Sequence, residues 1–170
     1  MRKAALWIAV GVAAVSLLVS RATSETNPAS GFDRMKILVG TWTAIDPAGG
    51  PMTNTVRLVS NGTAIEEVFE SGTKHQMVTL YSRDGDRLAL VHLCEIGNQP
   101  RMETCAGVAN SDTFEFFFTG ATNLTNPEDL HMHHMLLHIV DKDHFDETWT
   151  IHANGKDEEH GTFHFIRKSS

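Results

Sequence analysis

The densest group of chemistry-bearing side chains in this sequence is His131-Met132-His133. On a strand, residues two apart project from one face about 6.5–7 Å apart, so the two imidazoles can meet on one ligand or ion. His92 would add a third nitrogen, and Glu67 or Glu147 a carboxylate, a set suited to a divalent metal. The competing reading is two histidines at a strand end, bonded to loop carbonyls and water. A Gly-rich phosphate loop, a Ser-centred elbow and a zinc-ribbon cysteine pairing are all missing from the sequence.

Glu67 and Glu147 carry the second chemistry. Each falls at an inward position, where a carboxylate needs an arginine, a histidine or a cation beside it. Such a group could hold an imidazole in one tautomer for proton transfer. Alternatively it closes a structural ion pair, with Arg101 as partner. Cys94 and Cys105 are the two cysteines of the chain. A hairpin centred on Gln99-Pro100 would set them opposite one another, in reach of a disulfide. The sharper alternative is a Cys94 nucleophile with His92 two residues away. The segment Gly97-Asn98-Gln99-Pro100-Arg101 offers amide donors and a guanidinium to a polar ligand, or is simply a turn.

Short strands must position these residues. Beyond a strand through Trp42, candidates run over 53–60, 63–70, 75–82, 87–94, 101–108, 113–119, 131–140, 144–152 and 160–167. Asn61-Gly62, Asp84-Gly85 and Asn154-Gly155 are turn pairs suited to tight hairpins. Pairing across Asn61-Gly62 sets Val56 against Glu67, Leu58 against Ile65, Asn54 against Phe69 and Arg57 against Glu66. On the strand after Asp143, Phe145, Glu147, Trp149 and Ile151 face inward. Their neighbours Asp146, Thr148, Thr150 and His152 face water. Alternation then puts Ile139, Leu137, Met135, His133 and His131 inside, and His134 and His138 outside. Met77, Thr79, Tyr81, Leu90 and His92 are also assigned inward, and Phe114, Phe116 and Phe118 to the core. About ten hairpin-linked strands predict an all-β, antiparallel up-and-down barrel, which removes exposed edges. Phe32, Met35 and Leu38 give a short helix before it.

The whole chain has 170 residues and a formal charge of −7. Residues 1–24 hold Arg2, Lys3 and Arg21 and no carboxylate, so the rest carries −10. That charge disfavours nucleic acid and anionic lipid surfaces as partners. The 41% apolar content suffices for a packed core. Met1–Ser24 reads as a signal peptide, with a basic start, a 16-residue apolar run from Ala4 to Val19 and small residues before the exit. Cleavage is expected after Ala22 or Ser24. The alternative is an uncleaved anchor, although the run is short for a span. Residues 25–31 read as a linker and 32–168 as one barrel domain. The expected location is periplasmic or secreted, with no stable membrane association after cleavage.

A short helix leading into Gly40-Thr41-Trp42, followed by antiparallel strands ending in Phe163-His164-Phe165-Ile166-Arg167, resembles the calycins. This superfamily includes lipocalins, fatty-acid-binding proteins and nitrobindin-like haem proteins. The stretches 92–102 and 131–149 are similar to secreted bacterial lipocalin-like proteins of an uncharacterised family. The resemblance implies that Trp42 closes the barrel base against the basic Arg167. It also implies a lumen for a small hydrophobic or amphipathic molecule. The candidate ligand-binding residues are then Glu67, Tyr81, His92, Arg101, His131, His133, Glu147 and Trp149. The alternative is an enzyme using a divalent metal on His131, His133 and His92, or haem on one histidine. A His-x-His metal set of the double-stranded β-helix enzymes is excluded, since no Glu follows His133 until Glu147.

Overall fold

The computed structural model describes residues 28–45, 49–70, 74–107 and 111–169, so residues 1–24, read above as a signal peptide, lie outside the described residues. An α-helix, α1 (Pro28–Met35), continues into a 3-10 turn at Lys36–Leu38. Ten strands follow: β1 (Gly40–Ile45), β2 (Pro51–Val59), β3 (Ala64–Phe69), β4 (Met77–Asp84), β5 (Arg87–Leu93), β6 (Gln99–Glu103), β7 (Thr113–Thr122), β8 (His131–Ile139), β9 (His144–Ala153) and β10 (Lys156–Arg167). Each pairs antiparallel with the next, and β10 returns to β1 to close the barrel. The predicted all-β up-and-down barrel is therefore the fold. No helix among the described residues is long and apolar enough to cross a membrane.

Turn chemistry fixes most registers. Val56 faces Glu67, Leu58 faces Ile65, Asn54 faces Phe69 and Arg57 faces Glu66, as pairing across Asn61-Gly62 requires. Asn154 and Gly155 both have positive φ, the conformation a tight two-residue hairpin needs. The β4–β5 turn falls on Gly85-Asp86, one residue later than the Asp84-Gly85 pair suggests, and still sets Thr79 against His92 and Tyr81 against Leu90.

Alternate residues fill the interior. Ile65, Tyr81, Leu90, Met102, Phe114, Phe116, Met135, Leu137, Phe145 and Phe165 are all at most 2% exposed. Phe32, Met35 and Leu38 are also buried, and α1 packs on β4 and β5. Arg83, near the end of β4, lies over the Phe32 ring, so α1 covers the end of the barrel where β4 finishes. We call the opposite end, where β4 begins and β5 finishes, the mouth; residues 46–48 and 71–73 in its loops lie outside the described residues.

The base is closed as the resemblance implies. Trp42 is fully buried and pairs with Arg167 across the seam. Its indole Nε1 donates to the Leu38 carbonyl at 2.7 Å, and the Arg167 guanidinium lies 4.0 Å above its ring. Gly40 lies at φ +147°, and a Cβ there would come within 2.4 Å of Arg167 Nη1. Glycine is what this close approach requires.

Three register shifts interrupt the alternation among the described residues. On β7, Gly120 faces Arg101 but Phe118 faces Met102, leaving Thr119 as the extra residue. On β8, Met132 faces Ile151 but His134 faces Thr150, leaving His133 as the extra residue. On β10, the register shifts between Glu159 and Gly161, leaving His160 as the extra residue. Bulges re-aim side chains locally, and those on β8 and β10 lie at the mouth.

Candidate functional site

The inward carboxylates meet deep in the barrel. Glu67 and Glu147 are at most 2% exposed and hydrogen-bond one another. The Tyr81 hydroxyl donates to Glu67 Oε2 at 2.6 Å, with Glu147 Oε1 at 3.4 Å. Asn54 Nδ2 donates to the other Glu67 oxygen, and Trp149 Nε1 donates to Glu147 Oε2 at 3.2 Å. Burial pushes the Glu147 carboxyl well above the ordinary carboxylate range, and the Glu67 charge beside it pushes further. Burial also raises Glu67, against the opposing pull of Tyr81 and Asn54. Burial and the two carboxylates push the Tyr81 phenol well up. Glu147 therefore keeps a proton and Glu67 accepts from its donors, an acid–carboxylate pair. Arg101 is exposed on β6, so the expected ion pair with it is not formed.

Above this network, Trp149 carries a second polar group. The His92 ring lies 4.8 Å from the Trp149 ring, and His92 Nδ1 is 2.9 Å from the Thr79 hydroxyl. His92 is 4% exposed, and burial pushes its pKa down to about 4, so it is neutral near pH 7. Its Nε2 is buried without a hydrogen-bond partner. The His92 side chain lines a cavity of about 30 Å³ together with Phe69, Met77, Met132, Trp149, His160 and Phe163. A second cavity of about 140 Å³ shares Met77, Met132 and His160 and extends past Cys94, Ile96 and His131. Together they form a cleft with an apolar floor and imidazole walls.

The expected convergence of His131 and His133 with Glu67 and His92 does not occur. The β8 bulge packs Met132 against the core, while His131, 1% exposed, is buried against Phe118 and His133 is half-buried. His131 instead pairs with His152 across β8 and β9. The rings of His131, His133 and His152 lie 5.0–5.3 Å apart at the rim, with Phe118 against His131 at 4.5 Å and His133 at 4.7 Å. Phe118 is thus drawn to the rim rather than the core. The three-histidine metal set with His92 is replaced by a rim group around His152. His134 points to Glu115, and His138 is exposed, as alternation predicts.

The cysteine pairing is also corrected. Leu90 faces Met102, so the β5–β6 hairpin turns at 94–98 rather than at Gln99-Pro100. The Cys94 amide bonds to the Asn98 carbonyl, while Cys105 lies beyond the end of β6, and both thiols are free. Gly97, at φ +92°, makes the turn. Burial pushes the Cys94 thiol up, which opposes its use as a nucleophile.

Asn54, Thr79, Met77, Met132, His152, Asp157 and His160 belong to these groups although their residue types gave no direct signal. Asp157 was reachable, since the Asn154-Gly155 turn places it opposite His152. His160 and Met132 were not, because each depends on a bulge.

The described residues form a closed ten-stranded antiparallel barrel, consistent with a calycin-like architecture, with a small, mostly apolar cavity lined in part by His92 and His160. Comparison with protein-family models and with curated proteins finds no match to this chain.

Proposed function

We propose that this chain is an exported calycin-type binding protein that holds a small molecule in the mouth cleft, with His92 Nε2 as its polar anchor. The observation that carries this reading is the orphaned nitrogen. A buried polar atom without a partner costs about 1–3 kcal/mol, and the imidazole that carries this one lines a cavity. Trp149 supplies a flat apolar face beside it, and Met77 and Met132 supply adaptable walls. The basic-then-apolar pattern of residues 1–24 supports export.

Size narrows the ligand. Barrel pockets for drug-sized molecules run to about 300–1,000 Å³. The two cavities measure about 30 and 140 Å³. The larger equals the volume of about five waters. The cleft suits a short amphipathic molecule with one hydrogen-bonding group. Glu67 and Glu147 are enclosed by Asn54, Tyr81 and Trp149, which supports a structural role for them over proton transfer to a guest.

His92→Leu tests the proposal. Native mass spectrometry of the wild-type chain, recovered from its own cell envelope, should show a retained small molecule that His92→Leu loses. The variant should fold with unchanged or higher stability near neutral pH. It should also lose less stability than the wild type on acidification between pH 6.5 and 4. Because the folded-state pKa of His92 is depressed to about 4, its contribution is present above pH 6.5 and lost as pH falls towards 4. The slope is about 1.4 kcal/mol per pH unit. Retention that survives in His92→Leu would place the binding site elsewhere.

A further inference from the structure

We propose that His133, His152 and Asp157, at the rim between β8, β9 and β10, bind one divalent transition-metal ion of the zinc class. This site is separate from the mouth anchor at His92 and does not depend on it. Each of the three residues can direct one ligand atom so that all lie within 4.8 Å of one another. Tetrahedral ligands at about 2.0–2.1 Å from an ion stand about 3.4 Å apart, so a closure of at most about 1.4 Å completes the set. Two imidazoles and a carboxylate, with one position left open, match the borderline character of zinc.

Three backbone devices hold the ligands in place. The β8 bulge brings His133 towards β9. The Asn154-Gly155 turn sets Asp157 opposite His152, with Oδ1 2.5 Å from His152 Nδ1. The other nitrogen of His152, Nε2, lies 3.2 Å from Glu128 Oε2. With Nδ1 and Asp157 turned to the ion, Nε2 keeps Glu128, a carboxylate that orients the ring as is usual for a metal-bound histidine.

His131 positions His133. Its Nδ1 is 2.7 Å from the Asp129 carbonyl, which can only accept, so Nδ1 carries the proton. In the neutral imidazole, His131 Nε2 is then an acceptor, and it lies 3.0 Å from His133 Nδ1. His133 Nδ1 must donate there, which leaves its Nε2 with a free lone pair for an ion. Phe118 lies against both rings and limits their rotation. Surface ion pairs formed by long flexible side chains have no such fixation.

The test is Zn²⁺ titration of the full chain by calorimetry, with Co²⁺ absorption reporting coordination geometry. One equivalent should bind, give tetrahedral Co²⁺ bands and raise the thermal midpoint. His133→Ala and His152→Ala should each weaken Zn²⁺ at least about 100-fold, and Asp157→Asn at least about 10-fold. His131→Ala, which removes only the tautomer relay, should weaken it about 10–100-fold. His134→Ala and His138→Ala should change nothing. His133→Asn and His152→Asn keep a polar side chain, and circular dichroism confirms that each variant is folded. Absence of stoichiometric binding would overturn the proposal, as would one-equivalent binding that persists in folded His133 and His152 variants.

Discussion

Replacing Glu147 by glutamine leaves the barrel folded and removes a loss of stability that the native chain suffers as pH rises. Glu147 holds its proton because burial and the neighbouring Glu67 charge disfavour ionisation. A carboxyl whose folded-state pKa is raised contributes stability that is complete below its unfolded value. That contribution is then lost as pH rises through the folded value. While the proton is held, the decline is about 1.4 kcal/mol per pH unit. Glutamine reproduces the protonated acid, with an oxygen for Trp149 Nε1 and an amide N–H for Glu67. The stability difference between wild type and Glu147→Gln, from urea unfolding at several pH values above 5, should therefore fall with that slope. Parallel curves would show that Glu147 is ionised in the folded state.

Glu67 behaves differently. Its two oxygens accept from Asn54 and Tyr81, and it also bonds Glu147. Glu67→Leu leaves these groups buried without their acceptor, and the expected cost is about 3–5 kcal/mol. An effect below about 1 kcal/mol would mean that water or another acceptor reaches the network.

The second large effect is expected at the seam. Only Trp42 with Arg167 and Thr43 with Ile166 pair between β1 and β10 among the described residues. The guanidinium adds what the short ladder lacks. Arg167 Nε donates to the Lys142 carbonyl at 2.8 Å, Nη1 to Val39 at 2.8 Å and Nη2 to Ile37 at 2.6 Å. It thereby ties the helix-to-strand link and the β8–β9 loop to the last strand. Trp42→Ala should cost about 3–5 kcal/mol through the cavity it leaves. Arg167→Met should cost about 3 kcal/mol, because three carbonyls lose charge-assisted donors while the contact with Trp42 is kept. Arg167→Lys should recover only part of this, since an ammonium lacks the planar fork. Urea midpoints with unchanged slopes check each value. If Arg167→Met unfolds at the wild-type midpoint, the seam is held by the ladder alone.

The distribution of hits and misses along the chain has a physical pattern. The base and the carboxylate pair were legible because they depend on alternation and on turns with strong residue preferences. Asn61-Gly62 fixed Glu67 opposite Val56, and the short loop before His144 fixed Glu147 opposite Leu137. The mouth was not legible. At His133 and His160 one extra residue reverses the alternation, and nothing in His-Met-His or in His160-Gly161 marks the insertion. The β5–β6 turn misled for a related reason. Gln99-Pro100 reads as a turn pair, yet Gly97 with positive φ makes the turn, and Pro100 lies in β6 opposite Ala121. Residues placed by ladders were therefore readable, whereas residues placed by bulges required the folded chain.

The central claim is that His92 Nε2 is the group a guest molecule satisfies, and nitrogen-resolved NMR of the His92 ring tests it most directly. In the chain stripped of its guest by unfolding and refolding, His92 should remain neutral down to about pH 4, with Nε2 showing no hydrogen-bonded shift. In protein recovered with its guest, the Nε2 resonance should move to a hydrogen-bonded value while Nδ1, held by Thr79, stays in place. Identical Nε2 shifts in the two samples, with the guest present in one, would contradict the account.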